Sequence, residues 1–163
     1  MILIVATGQR FIGKGVRSFE SVIEELIYSA LREIHIAVYT ISPSAYHIIN
    51  LIKNKAEQGV RINILVNSLY NLDAGIKDSL TDLKKSFPEH VRIVNFSDLK
   101  KPGEGDFHAK VLVIDRKKAL IGSANLSCGG TIRNYEIGVL LEDEVVWYLA
   151  ALLDEFFIEK PRS

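Results

Sequence analysis

Short β-branched runs alternating with helical stripes are what most restrict the fold open to this chain. Ser18 to Arg32 places Val22, Ile23, Leu26, Ile27, Ala30 and Leu31 at helical spacing. That stripe needs a surface to cover it. Ser21 with Glu24 fits a capping box, and Ser18 is an equal candidate for the cap. Ile34 to Thr40, Arg61 to Asn67 and Val91 to Phe96 read as strands. Pro43 or Ser44 opens a helix that runs to about Gln58, and Gly59 stops it. A weaker helix covers Asp73 to Phe87, ended by Pro88. Met1 to Ala6 reads as a first strand, Tyr135 to Leu141 as a late one. Val145 to Phe157 reads as a closing helix carrying Trp147, Leu149, Leu152 and Phe156. Strands alternating with helices predict an α/β fold, a mixed β-sheet sandwiched by helices. The 163 residues hold no linker or repeat and predict one domain over 1–163.

Composition excludes several classes. Hydrophobic content of 48% with 25% charged residues is the profile of a soluble globular chain, not a disordered one. Twenty basic residues balance twenty acidic ones, so no global field draws in nucleic acid, though a local basic patch remains open. The apolar start is too short for a signal-peptide core or a membrane span. The single cysteine, Cys128, permits no intrachain disulfide, and a reducing, cytoplasmic compartment is the simpler expectation. Cys128 reads as a small half-buried residue. Gly13-Lys14-Gly15 lacks the spacing of a phosphate-binding loop.

The chemistry concentrates in Phe107-His108-Ala109-Lys110-Val111-Leu112-Val113-Ile114-Asp115 and, after the polar turn Arg116-Lys117-Lys118, in Ala119 to Gly122 with Gly122-Ser123-Ala124-Asn125. Written out, the pattern is H-x-K-x4-D-x6-G-S-x-N. On a strand, His108 and Lys110 leave the same face. An imidazole beside an ammonium suits an anion, phosphate above all. From the residues alone His108 is a nucleophile, a general base or a satisfied structural histidine. Asp115 lies an odd number of positions from His108, on the opposite face, which points to a structural role: pairing a local cation or capping the turn.

These residues resemble the signature of the phospholipase D superfamily, phosphodiesterases named for their H-K-D motif. Ala37 to Ser42, a helix and then Gln58-Gly59-Val60 also resemble the opening half of such a domain, so the likeness covers most of residues 18 to 141. The resemblance implies a phospholipase D-like fold with one motif per chain. It casts His108 as the nucleophile that forms a phosphohistidine, with a second histidine protonating the leaving oxygen and then activating water. Lys110 and Asn125 would bind the non-bridging phosphate oxygens, with Ser123 in support and Gly122 letting the chain pass close to the bound group. Glu136, in Arg133-Asn134-Tyr135-Glu136, would be hydrogen-bonded to the catalytic imidazole.

Two histidines are required and one motif is present. His35, His47 and His90 each lack the accompanying lysine and Gly-Ser-x-Asn. A two-fold homodimer sharing one active site is therefore expected. Those histidines are scattered without ligand spacing, so neither a metal nor another cofactor is expected. Short relatives include a metal-independent bacterial nuclease, restriction-type endonuclease domains and a mitochondrial cardiolipin hydrolase. With no transmembrane segment, and with Lys84-Lys85, Lys100-Lys101 and Arg116-Lys117-Lys118 as candidate phosphate contacts, DNA or RNA is the favoured substrate. A phospholipid hydrolase and a non-catalytic nucleic-acid-binding dimer are the alternatives. A neutral chain also fits work beside a larger DNA-processing partner.

Overall fold

The computed structural model describes residues 1–127 and 134–158. Cys128 and Arg133 lie outside the described residues. One seven-stranded mixed sheet organises the chain in the order β1-β7-β6-β5-β2-β3-β4. Its strands are β1 (Ile2–Thr7), β2 (Glu33–Val38), β3 (Arg61–Val66), β4 (Val91–Asn95), β5 (Val111–Ile114), β6 (Lys118–Gly122) and β7 (Glu136–Glu142). β2, β3 and β4 run parallel. β5, β6, β7 and β1 extend the sheet through antiparallel pairs. The helices are α1 (Phe19–Ser29), α2 (Tyr46–Glu57), α3 (Ala74–Ser86), the short α4 (Phe96–Leu99) and α5 (Val145–Ile158).

Alternation along the strands creates two cores. Ile34, Ile36 and Val38 of β2, with Ile62, Ile64 and Val66 of β3, pack beneath the apolar stripes of α1, α2 and α3. On the other face Ala37, Leu65, Val111, Val113 and Ala119 meet Val146, Ala150 and Leu153 of α5. All six residues of β2 are buried, as a central strand covered on both faces requires.

Local differences from the sequence reading have physical causes. Ser18, not Ser21, caps α1, its hydroxyl accepting the Ser21 N–H at 3.3 Å. The backbone turns extended at Ala30, so Leu31 leaves the stripe and is 82% exposed. Pro43–Ala45 forms a 3-10 turn, and α2 starts only at Tyr46. β4 ends at Asn95, and Phe96, read as the last residue of that strand, opens the short helix Phe96–Leu99. In α5, Trp147 and Leu152 face outward while Val146, Ala150 and Leu153 carry the packing.

Two devices pin the sheet. The Asp115 carboxylate accepts the backbone N–H groups of Leu31, Arg32 and Glu33 at 2.9, 2.7 and 2.9 Å. It thereby ties the start of β2 to the β5–β6 turn, where Asp115 and Arg116 themselves have positive φ. Gly122 and Gly138 face each other across β6 and β7, and the Phe19 ring packs over the pair. A Cβ on Gly122 would lie 2.7 Å from Phe19 Cζ and 2.9 Å from Gly138 Cα. Packing, not clearance for a ligand, is thus the visible demand for this glycine. Gly122→Ala should cost about 1–3 kcal/mol of stability, read as a lower denaturant midpoint at unchanged m value.

Candidate active site

The ends of β2, β3, β5, β6 and β7 meet at one edge of the sandwich, and the motif residues gather there. His108 and Lys110 precede β5 rather than lying within it. Asn67, buried at the end of β3, accepts the Phe107 N–H at 2.8 Å. The Phe107 ring packs against Phe156 and Phe96 at 5.5 and 5.9 Å. These contacts hold the segment extended, with Phe107 turned inward and His108 exposed.

Lys110 Nζ lies 2.9 Å from His108 Nδ1, 3.3 Å from Nε2 and 2.7 Å from the His108 carbonyl oxygen. An ammonium donates to a ring nitrogen only if that nitrogen is unprotonated, the form a nucleophile needs. Tyr39, just beyond β2, supports both groups. Its ring centroid is 5.0 Å from that of His108 and 5.8 Å from Lys110 Nζ.

The Gly-Ser-x-Asn segment is held by the chain after β2. Ser42 N–H donates to the Leu126 carbonyl at 3.2 Å, and Ile41 bridges Leu126. Asn125 Oδ1 accepts the Thr40 N–H at 3.2 Å. That bond orients the amide and leaves its NH2 without a hydrogen-bond partner among the described residues, a donor available to an anion. A narrow cleft brings Lys110, Gly122, Ala124 and Asn125 together above Phe19.

Glu136 differs from its expected place. Its carboxylate accepts the Ser123 hydroxyl, and the Ser123 oxygen accepts the Ile137 N–H at 3.2 Å. No hydrogen bond joins Glu136 to His108 among the described residues. Its influence falls on Lys110 instead: partial burial pushes the Lys110 ammonium below the ordinary lysine range, and the Glu136 charge pulls it back up.

Of the basic clusters, Lys100 donates to Asp106 at 2.8 Å and holds that carboxyl below the usual carboxylate range. Arg116 sits at the opposite end of β5, bound to Glu33 and, at 2.7 Å, to Asp154. It is therefore no phosphate contact. Lys84 and Lys85 end α3, over the β4 edge of the sheet. The histidines are less scattered than their spacing suggested: His47 Nε2 lies 3.2 Å from Glu24 and 3.7 Å from Glu20. The donor atoms of these three half-buried residues all fall within 4.8 Å of one another. Tyr39, Thr40 and Asn67 were given no role in the site: the first two lie in the Ala37 to Ser42 segment and Asn67 in no motif, and all three reach the site through strand pairing.

A mixed sheet with an imidazole, an ammonium and an amide converging at one strand edge is the phospholipase D-like fold. A family model described as "Cardiolipin synthase, PLD-like domain" matches residues 23–159, and the chain belongs to this family. It is 29% identical over 154 residues to the DISARM protein DrmC of Bacillus paralicheniformis, covering 94% of this chain and 62% of that protein. Cardiolipin synthase A of Buchnera aphidicola is 27% identical over 143 residues, 87% of this chain and 27% of that protein. The chain thus spans less than two thirds of either relative. Among solved structures, Nuc from Salmonella typhimurium, a phospholipase D family member, superposes with a TM-score of 0.71 at 15% identity, covering 96% of this chain and 93% of that one. NucT from Helicobacter pylori gives 0.73 at 20% identity, covering 96% of both. These structures share the fold at the same chain length.

Lysine is charged below its pKa, so the positive charge on Lys110 is lost as pH rises through a value already lowered. Glu136→Gln removes the influence that raises it. The alkaline limb of kcat/KM should therefore move to lower pH in this variant. An unmoved limb would separate Glu136 from Lys110.

Proposed function

We propose that this chain is a metal-independent phosphodiesterase that cleaves DNA or RNA at a site shared by two copies. The observation that carries the reading is the exposed His108 imidazole with Lys110 lodged against it. A ring nitrogen of His108 attacks phosphorus, and the bond to the leaving oxygen breaks. His108 of the second copy gives that oxygen a proton. Water, deprotonated by the same second imidazole, then displaces the first, breaking the P–N bond and restoring both rings. Lys110 and the Asn125 amide hold the non-bridging oxygens as charge builds on them.

The need for a second copy follows from the other histidines. His35 is fully buried against Asp154 at 2.8 Å, His90 Nε2 lies 2.7 Å from the Ala56 carbonyl, and His47 faces Glu24. None stands beside His108. An uncovered apolar strip offers a surface for pairing: Ile2, Ile4 and Ile137, on the face that α5 leaves bare, are 70%, 55% and 56% exposed. Full activity in a species that stays monomeric at assay concentration would overturn the shared site.

The phospholipid reading draws on the exposed Trp147 and Tyr148 of α5, aromatic residues of the kind that settle at a lipid interface. No helix among the described residues is long and apolar enough to cross a membrane. Assays on single- and double-stranded nucleic acid beside a phospholipid panel decide between the two. Trapping a phospho-adduct on His108, with loss of at least about 10^4-fold in turnover on His108→Ala, is the expected result. A variant that keeps its function makes the chain a binding protein. Activity should survive EDTA. Since Glu20, Glu24 and His47 form the one described group able to hold an ion, EDTA loss that persists in His47→Ala would turn the mechanism toward a metal elsewhere.

A further inference from the structure

A cavity of about 390 Å³ opens beside the phosphate site and is used by none of the chemistry above. Ala124 and Phe19 line both this cavity and the cleft at Lys110 and Asn125. Glu136 forms part of its wall. Its outer wall is the loop between β1 and α1, where Phe11, Ile12 and Val16 face the space. This loop lies ahead of the region matched by the family model, which starts at residue 23.

The loop is a built structure. Ala6 N–H donates to the Arg17 carbonyl and Phe11 N–H to that of Gly8, both at 2.9 Å. Arg17 pairs with Glu25 of α1. The Tyr135 ring packs against Gly8 so closely that a Cβ there would lie 2.5 Å from the ring. The same ring meets Phe11 edge-on at 5.5 Å. Gly13 and Gly15 take φ of +73° and +78°, which bends the loop back. The result leaves Ile12 74% exposed over the cavity mouth.

We infer that this cavity is a nucleobase subsite, receiving the base next to the phosphodiester bond that His108 attacks. The inference rests on the nuclease reading of the same site. Phe11, Phe19, Ile12 and Val16 supply apolar walls for a planar ring. Glu20 and Glu136 supply carboxylate acceptors, which match the amino and imino donors on a base edge. An acyl chain in the same space would set both carboxylates against hydrocarbon, with Glu136 keeping only its Ser123 hydrogen bond and Glu20 only its 3.7 Å contact to His47. A small ammonium headgroup would suit the carboxylates yet fill little of the volume. Arg10 and Lys14 are exposed on the same loop, cations open to contact with a polyanionic backbone.

The test uses dinucleotides with a single phosphodiester bond, intact or with one base replaced by an abasic sugar. The full chain should cleave the intact form with kcat/KM about tenfold higher or more. Ile12→Ser, at an exposed side chain that the fold does not need, should bring that ratio close to one, and Phe11→Ala likewise. Leu31→Ser, exposed at the far end of the sheet, should keep the ratio of the unaltered protein. If dinucleotides are cleaved with no preference for the base, or with one that Ile12→Ser leaves intact, the subsite is wrong and the nuclease reading stands. If dinucleotides are untouched while a phospholipid is hydrolysed, both fall.

Discussion

Three hydrogen bonds to one carboxylate set the register on which the site depends. Asp115 holds the N–H groups of residues 31–33, so β2 enters the sheet with Ile34 opposite Ile114 and Ala37 opposite Val111. Followed to its other end, this register carries Tyr39 and Thr40 alongside residues 108–110 and 125. A slip of one residue would send every side chain of β2 to the opposite face, turning Ile34 and Ile36 toward α5 and taking Tyr39 from beneath His108. The aspartate of the motif therefore acts a full strand length from the histidine it accompanies. It accepts three main-chain donors and pairs with no cation among the described residues, so its loss would leave polar backbone unsatisfied.

The two ends of the sheet treat charge in opposite ways. At the Asp115 end, Arg61, Glu33, Arg116 and Asp154 form a continuous chain in which every charge faces its opposite, and the His35 ring meets Asp154 at its end. Those pairs join α5 to β2 and the β5–β6 turn, and they leave little field outside. At the His108 end, Lys110 hydrogen-bonds only to His108 among the described residues, with the Glu136 carboxylate already engaged by Ser123. A partly desolvated ammonium with no carboxylate hydrogen-bonded to it gains most from an incoming anion. A formal net charge of zero hides this arrangement, because neutrality of the whole says nothing about which cations are satisfied.

What the sequence showed plainly was whatever repeats locally. The helical stripe of α1, the buried run of β2 and the glycine after α2 each follow from spacing within a few residues. The strand alternation gave the mixed sheet and the layers around it. Leu31 was misread, and Trp147 was given no side of its helix, because apolar residues at a helix end, or on a helix apolar all round, do not declare which of them touches the core. Gly138 drew no attention, although its close approach to Gly122 is as demanding as any feature of the motif. That demand comes from a partner strand and from Phe19, far away in sequence. The basic clusters failed as a guide for the same reason. Lys100 and Arg116 flank the motif in sequence, yet each finds its own carboxylate, Asp106 or Glu33 and Asp154, once the chain is folded.

The family match and the β1–α1 loop divide the surroundings of His108 between them. Residues from β2 onward carry His108, Lys110 and Asn125. Residues before α1 contribute β1, which pairs along β7 and ends with Thr7 opposite Glu136. Thr7 then accepts the Phe19 N–H at 3.0 Å, so the strand, the capped start of α1 and the Gly122–Gly138 contact close into one packed unit. A loop leaving β1 at that point has to pass over Glu136 before it reaches Ser18. Its length of ten residues and its three positive-φ glycines are more than the shortest route would use. The surplus chain is what encloses the cavity, so the shape of the space beside Ala124 and Glu136 is set by a segment that contributes nothing to the motif itself.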